Sequence, residues 1–305
     1  MAERSHRPIP LAVIVFSLLV AGGLLFATVR SLSEEIAPTE AGALPALHAA
    51  AAAGDAQRVL ELLGRDADVN QGLESTRLSE SGKTPLLLAI ENRHAQAARA
   101  LIEGGADTNK RAGDSQTALI SAAAWGDPEI VSALLDKGAR VDARNGDNWT
   151  ALMMASGRGH TEAVEALLAA GARVDERNKW GQTALMLAAF PNDEAVLSAL
   201  IEAGADANIA DNEGRTSLRI AASNDASPAL IALLLEADAD VDLADADGVT
   251  PLMAACDAGN TPVVAALLAS GADASLADRA GRTARDWALA RNDDRGTEIA
   301  QLLPE

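Results

Sequence analysis

The chain has 305 residues and a formal net charge of −19, with 49% hydrophobic but only 2% aromatic residues. Phosphate backbones are gripped by clustered Lys and Arg. Here 25 such residues face 44 acidic ones, which excludes generic nucleic-acid binding, and the single cysteine, Cys256, excludes an internal disulfide or a cysteine-rich zinc site. The apolar residues are Ala, Leu and Val rather than large rings, a composition suited to helices packed closely in layers.

The first element is apolar. Residues 9–29, IPLAVIVFSLLVAGGLLFATV, carry no charge between Arg7 and Arg30. As a helix this length spans about 30 Å, the thickness of a hydrocarbon core. It is longer than the usual core of a cleaved signal peptide. A retained single-pass anchor is therefore expected over 9–29, with a cleaved signal and a soluble periplasmic product as the alternative. Arg4 and Arg7 precede the run, while Arg30, Glu34 and Glu35 follow it. The positive-inside tendency then keeps residues 1–8 in the cytoplasm and puts the rest outside. Residues 30–43 are polar and punctuated by Pro and Gly, and read as a linker.

From residue 44 to the end the sequence is periodic. Thr84, Thr117, Thr150, Thr183, Thr216, Thr250 and Thr283 recur at steps of 33 or 34 residues. Around them stand GKTPLLLA, SQTALISAA, NWTALMMA, GQTALMLAA, GRTSLRIAA and GVTPLMAA. About 21 residues after the Thr comes a glycine: Gly105, Gly138, Gly171, Gly204 and Gly271. Asp66 and Asp238 stand in its place in two units. Asp127-Pro128, Ser227-Pro228 and Thr261-Pro262 place a side-chain acceptor before a proline, a helix-start signal. Pairs such as Leu134-Leu135, Leu167-Leu168, Leu200-Ile201 and Leu267-Leu268 read as inward-facing.

A period of 33 with these marks resembles the ankyrin repeat. The resemblance covers residues 44–305 and implies an all-α solenoid of about eight helix-turn-helix units joined by β-hairpin loops. The first unit is degraded, with Pro45-Ala46-Leu47-His48 where the family has TPLH and a longer loop at 71–80. The last unit puts Arg285 where a Leu is expected. Both fit terminal caps with one wet face.

The same resemblance implies a protein-binding scaffold, with partners met on hairpin tips and first-helix ends. Relative to each Thr these are three and one before it, and seven and eight after it. Trp149, Trp180, Trp125 and Phe190 fall in these columns, and Arg158 falls eight after Thr150. Trp and Arg are common hot-spot residues, so these five are candidate partner-binding residues. Local packing of the rings is the competing reading. Trp287 falls at a packing position.

A second feature is acidic. From Glu202 to Asp278, 14 acids face only Arg215 and Arg219, a net of −12. Its densest part holds Asp238, Asp240, Asp242, Asp245 and Asp247. The spacing fails the EF-hand pattern. It reads as a solvated face or a patch that steers a basic partner, with a divalent-cation-responsive protein as the alternative function. Met153, Met186 and Met253 form a column three after Thr and read as interlayer packing.

No catalytic motif occurs; neither an enzyme, a cofactor, a metal site nor a small-molecule substrate is expected. The Ala- and Arg-rich, Lys-poor composition suggests a bacterial source. The expected function is a membrane-tethered protein-binding scaffold in the bacterial cell envelope, with an inhibitor or immunity-type binder of a toxin or enzyme as a special case.

Overall fold

The computed structural model describes residues 45–75, 81–224 and 226–304. The apolar run 9–29 and the linker 30–43 lie outside the described residues. Among those described, no helix is long and apolar enough to cross a membrane.

The described chain forms eight helix pairs. They are α1 (Ala46–Ala53) with α2 (Ala56–Leu63), α3 (Pro85–Glu91) with α4 (Ala95–Glu103), α5 (Ala118–Trp125) with α6 (Pro128–Asp136), and α7 (Ala151–Ser156) with α8 (Thr161–Ala169). Then follow α9 (Ala184–Ala189) with α10 (Glu194–Glu202), α11 (Ser217–Ser223) with α12 (Pro228–Glu236), α13 (Pro251–Ala258) with α14 (Thr261–Ala269), and α15 (Ala284–Ala290) with α16 (Asp294–Leu302). First helices pack on first helices of the adjoining repeats, and second helices on second helices. The core thus runs along the repeats as one continuous apolar cluster.

The periodic threonine has one job throughout. In all seven units its side chain accepts the backbone N–H three residues on, from Leu87 in α3 to Asp286 in α15. This satisfies a donor that a helix start leaves orphaned. The Leu two residues later is at most 1% exposed in six units, at Leu86, Leu119, Leu152, Leu185, Leu218 and Leu252. Met153, Met186 and Met253 are equally buried, so the methionine column is packing. Short Ala-rich helices leave room for this close layering.

Three local expectations need correction. Of each inward pair only the first member is fully buried: Leu134, Leu167, Leu200 and Leu267 are sealed, while Leu135, Leu168, Ile201 and Leu268 lie half-buried on the flank. Adjacent residues on a helix point about 100° apart, so both cannot face one neighbour. The start of α14 is capped not by Thr261 but by Asn260, which accepts from Val263 N–H. Lastly, the loops are not β-hairpins: among the described residues there is no strand, only an isolated bridge between Ala277 and Thr283.

The loop chemistry explains that last difference. Asn178 Oδ1 accepts the N–H groups of Trp180 and Gln182. Asn145, Asp211, Asp245 and Asp278 do the same in their own loops. A side chain therefore takes donors that a strand ladder would use. Each tip adds one backbone bond to the preceding tip, as from Lys179 N–H to Asp147 O and from Asn212 N–H to Trp180 O.

The ends differ as a cap requires. Arg285 reaches across to donate to the carbonyls of Ala300 and Leu303, closing the end of α16. Asp66 and Asp238 do adopt the left-handed backbone, at φ 61 and 59, which Asp tolerates better than most residues.

Candidate functional site

The loops hold Trp149 and Trp180 by their backbones and leave the rings as surplus. Their N–H groups are taken by Asn145 and Asn178. Their centroids lie 6.3 Å apart at an interplanar angle of 63°, an edge-to-face pair spanning two repeats. Trp149 packs partly on the core, while Trp180 is 37% exposed. Lys179 bonds Asp147 at 3.2 Å beside them, so the pair sits in a polar rim.

Trp125 and Arg158 form a second group. Trp125 ends α5, and its ring is approached by two guanidiniums, Arg158 at 5.9 Å and Arg93 at 5.2 Å. Arg158 Nη1 also donates to Ala124 O. Burial pushes the Arg158 guanidinium below its ordinary pKa. His160 Nε2 donates to the same carbonyl. Its pKa falls chiefly through burial, with Arg158 and Arg93 adding to the fall. A cleft of about 290 Å³ opens beside this group, walled by Arg93, His94, Trp125, Asp127, Glu129 and their neighbours.

Trp149 meets Trp180, Trp125 meets Arg158, and Phe190 caps α9 with its ring partly buried on the core. Local packing holds Trp125, Trp149 and Phe190 in part; Trp180 is the ring left standing in solvent.

The carboxylates of Asp240, Asp242 and Asp245 are spent on the fold. Asp242 accepts Asp273 N–H across the repeat boundary. Asp240 closes its own turn onto Asp242 N–H, and Asp245 holds Asp247 and Val249 N–H. Asp245 also pairs at 3.0 Å with Arg219, which stands in the methionine column. Asp238 is the left-handed turn residue. Among the described residues, no group of three or more His, Cys, Asp or Glu could hold a metal ion.

Sequence reading missed three things. Arg93 stands nine after Thr84, one place beyond the columns considered. Arg219 broke the methionine column, a signal that was visible. A ladder of Asn and Asp also ties each loop to the next: Asn70, Asn109, Asp142, Asp175, Asn208 and Asp242 accept the N–H of Asp107, Arg140, Arg173, Asp206, Asp240 and Asp273. From Asn109 onward its steps of 33 or 34 residues were in the sequence.

Nothing at these sites is poised for nucleophilic chemistry. Cys256 is sealed in α13, and burial, with Asp257 nearby, pushes its thiol up to about 12. His48 is buried with Nε2 donating to Lys83 O.

The comparisons agree with this architecture. Family models for "Ankyrin repeats (3 copies)" match residues 47–145, 108–178, 142–211 and 218–304. No curated protein matches. Among solved structures, the chain is similar to the human ASB11 ankyrin repeat domain, with a TM-score of 0.65 and 27% identity over 75% of this chain and 99% of that one. It is also similar to the ankyrin repeat domain of Bcl-3, a member of the IkappaB protein family, with a TM-score of 0.61 and 30% identity over 72% of this chain and 99% of that one. With matches spanning nearly all of residues 47–304, the chain belongs to the ankyrin repeat family.

Proposed function

We propose that this chain is a membrane-tethered scaffold of a bacterial cell envelope that captures a protein partner and performs no catalysis. Ankyrin repeat domains mediate protein–protein interaction. Residues 9–29 anchor it, with residues 1–8 in the cytoplasm and the repeats outside. The apolar length of 9–29 and the Arg4/Arg7 bias support that arrangement. The partner meets the loop tips and first-helix ends of repeats three to five.

The observation that carries the partner site is the Trp149–Trp180 pair. An indole 37% exposed, set edge-on against another across a repeat boundary, offers a large and rigid apolar contact at the loop tips. Rigid aromatic anchors in a polar rim are what dominate binding energy at interfaces. Trp180→Ala is expected to weaken capture about thirtyfold, a loss of about 2 kcal/mol, while the melting temperature holds. Unchanged capture by both Trp180→Ala and Trp149→Ala overturns the site. Mass spectrometry of the mature protein tests the tether: an intact mass beginning at the initiator region supports the anchor, and a start beyond residue 29 supports the soluble periplasmic form.

A further inference from the structure

The loop tips that carry Trp149 and Trp180 have used their own acceptors. The carbonyls of Asn178, Lys179, Trp180, Gly181 and Gln182 each take a donor: Gly181 N–H, Asn212 Nδ2, Asn212 N–H, Arg177 Nε and Asn178 N–H in turn. In the preceding tip, Asp147 O takes Lys179 N–H and Trp149 O takes Asn145 N–H. The carboxylates of Asp147 and Glu213, at the tips of repeats four and six, pair with Lys179 and Arg215.

Donors are what remains. Trp287 spends its indole N–H on Asp278 Oδ2. By contrast, neither the Trp149 nor the Trp180 indole N–H is donated to any group among the described residues, although both backbone N–H groups are. The Trp149 indole N–H is not sealed from water, and Trp180 is the exposed ring of the pair. The tips therefore offer apolar faces and N–H donors, beside acceptors already spent.

That imbalance selects among the shapes a partner segment can take. An ordinary extended segment brings one N–H per residue, which would lose its water here without gaining an acceptor. A helix brings carbonyls already bonded within itself. Proline alone supplies a backbone carbonyl with no N–H beside it. A polyproline II segment has no internal hydrogen bonds, so its carbonyls stay free, and its shape is set before binding.

We propose that the Trp149–Trp180 pair receives a proline-rich, extended segment of the protein partner. Its pyrrolidine rings pack on the indoles, and its carbonyls accept the indole N–H groups. This rests on the reading of the pair as the partner site and adds the partner's chemistry.

The test uses the full chain in detergent and a capped oligoproline of about eight residues, roughly 25 Å long as polyproline II. A capped glycine–alanine oligomer of equal length is its twin with N–H groups restored. Tryptophan indole N–H resonances report which ring is approached. Saturable shifts are expected at Trp149 and Trp180 with oligoproline alone, unchanged as salt is raised, since no charge takes part. Trp180→Ala should weaken this binding at least about tenfold. Trp180→Phe keeps a ring but no donor, and should weaken it about fivefold, the loss of one neutral hydrogen bond, while melting like the parent. Equal shifts with both peptides, shifts spread to Trp125 and Trp287, or parental binding by Trp180→Phe would each overturn the proposal. Its failure differs from failure of the site. If oligoproline leaves both indoles unmoved while Trp180→Ala still weakens capture of the partner, the site stands and the proline reading falls. If capture survives both tryptophan-to-alanine variants, the site itself falls.

Discussion

Three places before the capping threonine stands Trp180 in repeat five, but Glu213 and Asp247 in repeats six and seven. One place before it stands Trp149 in repeat four, but Arg215 and Val249 later. The loops are otherwise alike, each closed by an Asn or Asp that holds two N–H groups. In repeat six the tip is satisfied from within, since Arg215 pairs with Asp211 at 2.8 Å and with Glu213 at 2.9 Å. In repeats four and five the polar tip residues are paired too, Lys179 with Asp147 at 3.2 Å and Asn178 with Gln182 at 2.9 Å, but the two indoles meet only each other, edge to face. One scaffold thus spends its polar residues inward at one end and leaves apolar surface over at the other. A large net charge does not by itself mark a binding surface; the bonding of each carboxylate decides.

The comparison breaks most sharply at Asp245. Its partner Arg219 is deeply buried, and burial already pulls that guanidinium's pKa down while Asp245 works against the fall. Asp245→Asn leaves a buried cation uncompensated and should cost about 4 kcal/mol by denaturant unfolding. The exposed Asp247→Asn, two residues on, should stay within about 0.5 kcal/mol. Equal effects at both would mean the acidic stretch is a solvated face after all.

Gly126 gives the next effect, in the ring-bearing repeats. It sits at φ 69, and a Cβ there would run into the His160 ring. Gly126→Ala should cost about 3 kcal/mol, adding a clash to left-handed strain. Gly138 has φ 81 with open space around it, so Gly138→Ala should cost about 1 kcal/mol from backbone strain alone.

Acid supplies a smaller effect that sharpens the contrast. Burial is the main cause lowering the pKa of both His48 and His160 below the ordinary 6.5. The unfolded chain therefore binds these protons more readily than the folded one. Stability is full above pH 6.5 and declines as pH falls from there toward the folded values. No histidine lies between Glu202 and Asp278. Repeats unfold quasi-independently, so hydrogen exchange at mildly acid pH should quicken around His48 and His160 before it does in repeats six and seven. Uniform quickening would contradict this.

Much of the fold was legible because the repeat fixes register, and register fixes which positions meet the neighbour. The threonine caps, the leucine column and the two left-handed aspartates could be read from spacing alone. The hairpins could not, since the identity of the tip residue, Asn145 or Asp211, lets a side chain take donors that backbone pairing would use. The site was half legible. Column counting found Trp149 and Trp180, yet it cannot say which ring stays exposed, because that depends on what the adjoining loop supplies. Arg93 escaped because its approach to Trp125 crosses a repeat boundary at a different offset.

The central claim is that binding resides with the indoles and fold-keeping with the aspartates. The most direct test sets the Trp149→Ala/Trp180→Ala double variant beside the Asp238→Asn/Asp240→Asn/Asp247→Asn triple, and measures each one's affinity for the partner crosslinked by the parent chain in membranes. The account predicts at least about a tenfold loss for the tryptophan variant, with parental affinity for the aspartate variant. Parental affinity for the tryptophan variant together with loss for the aspartate variant would contradict it.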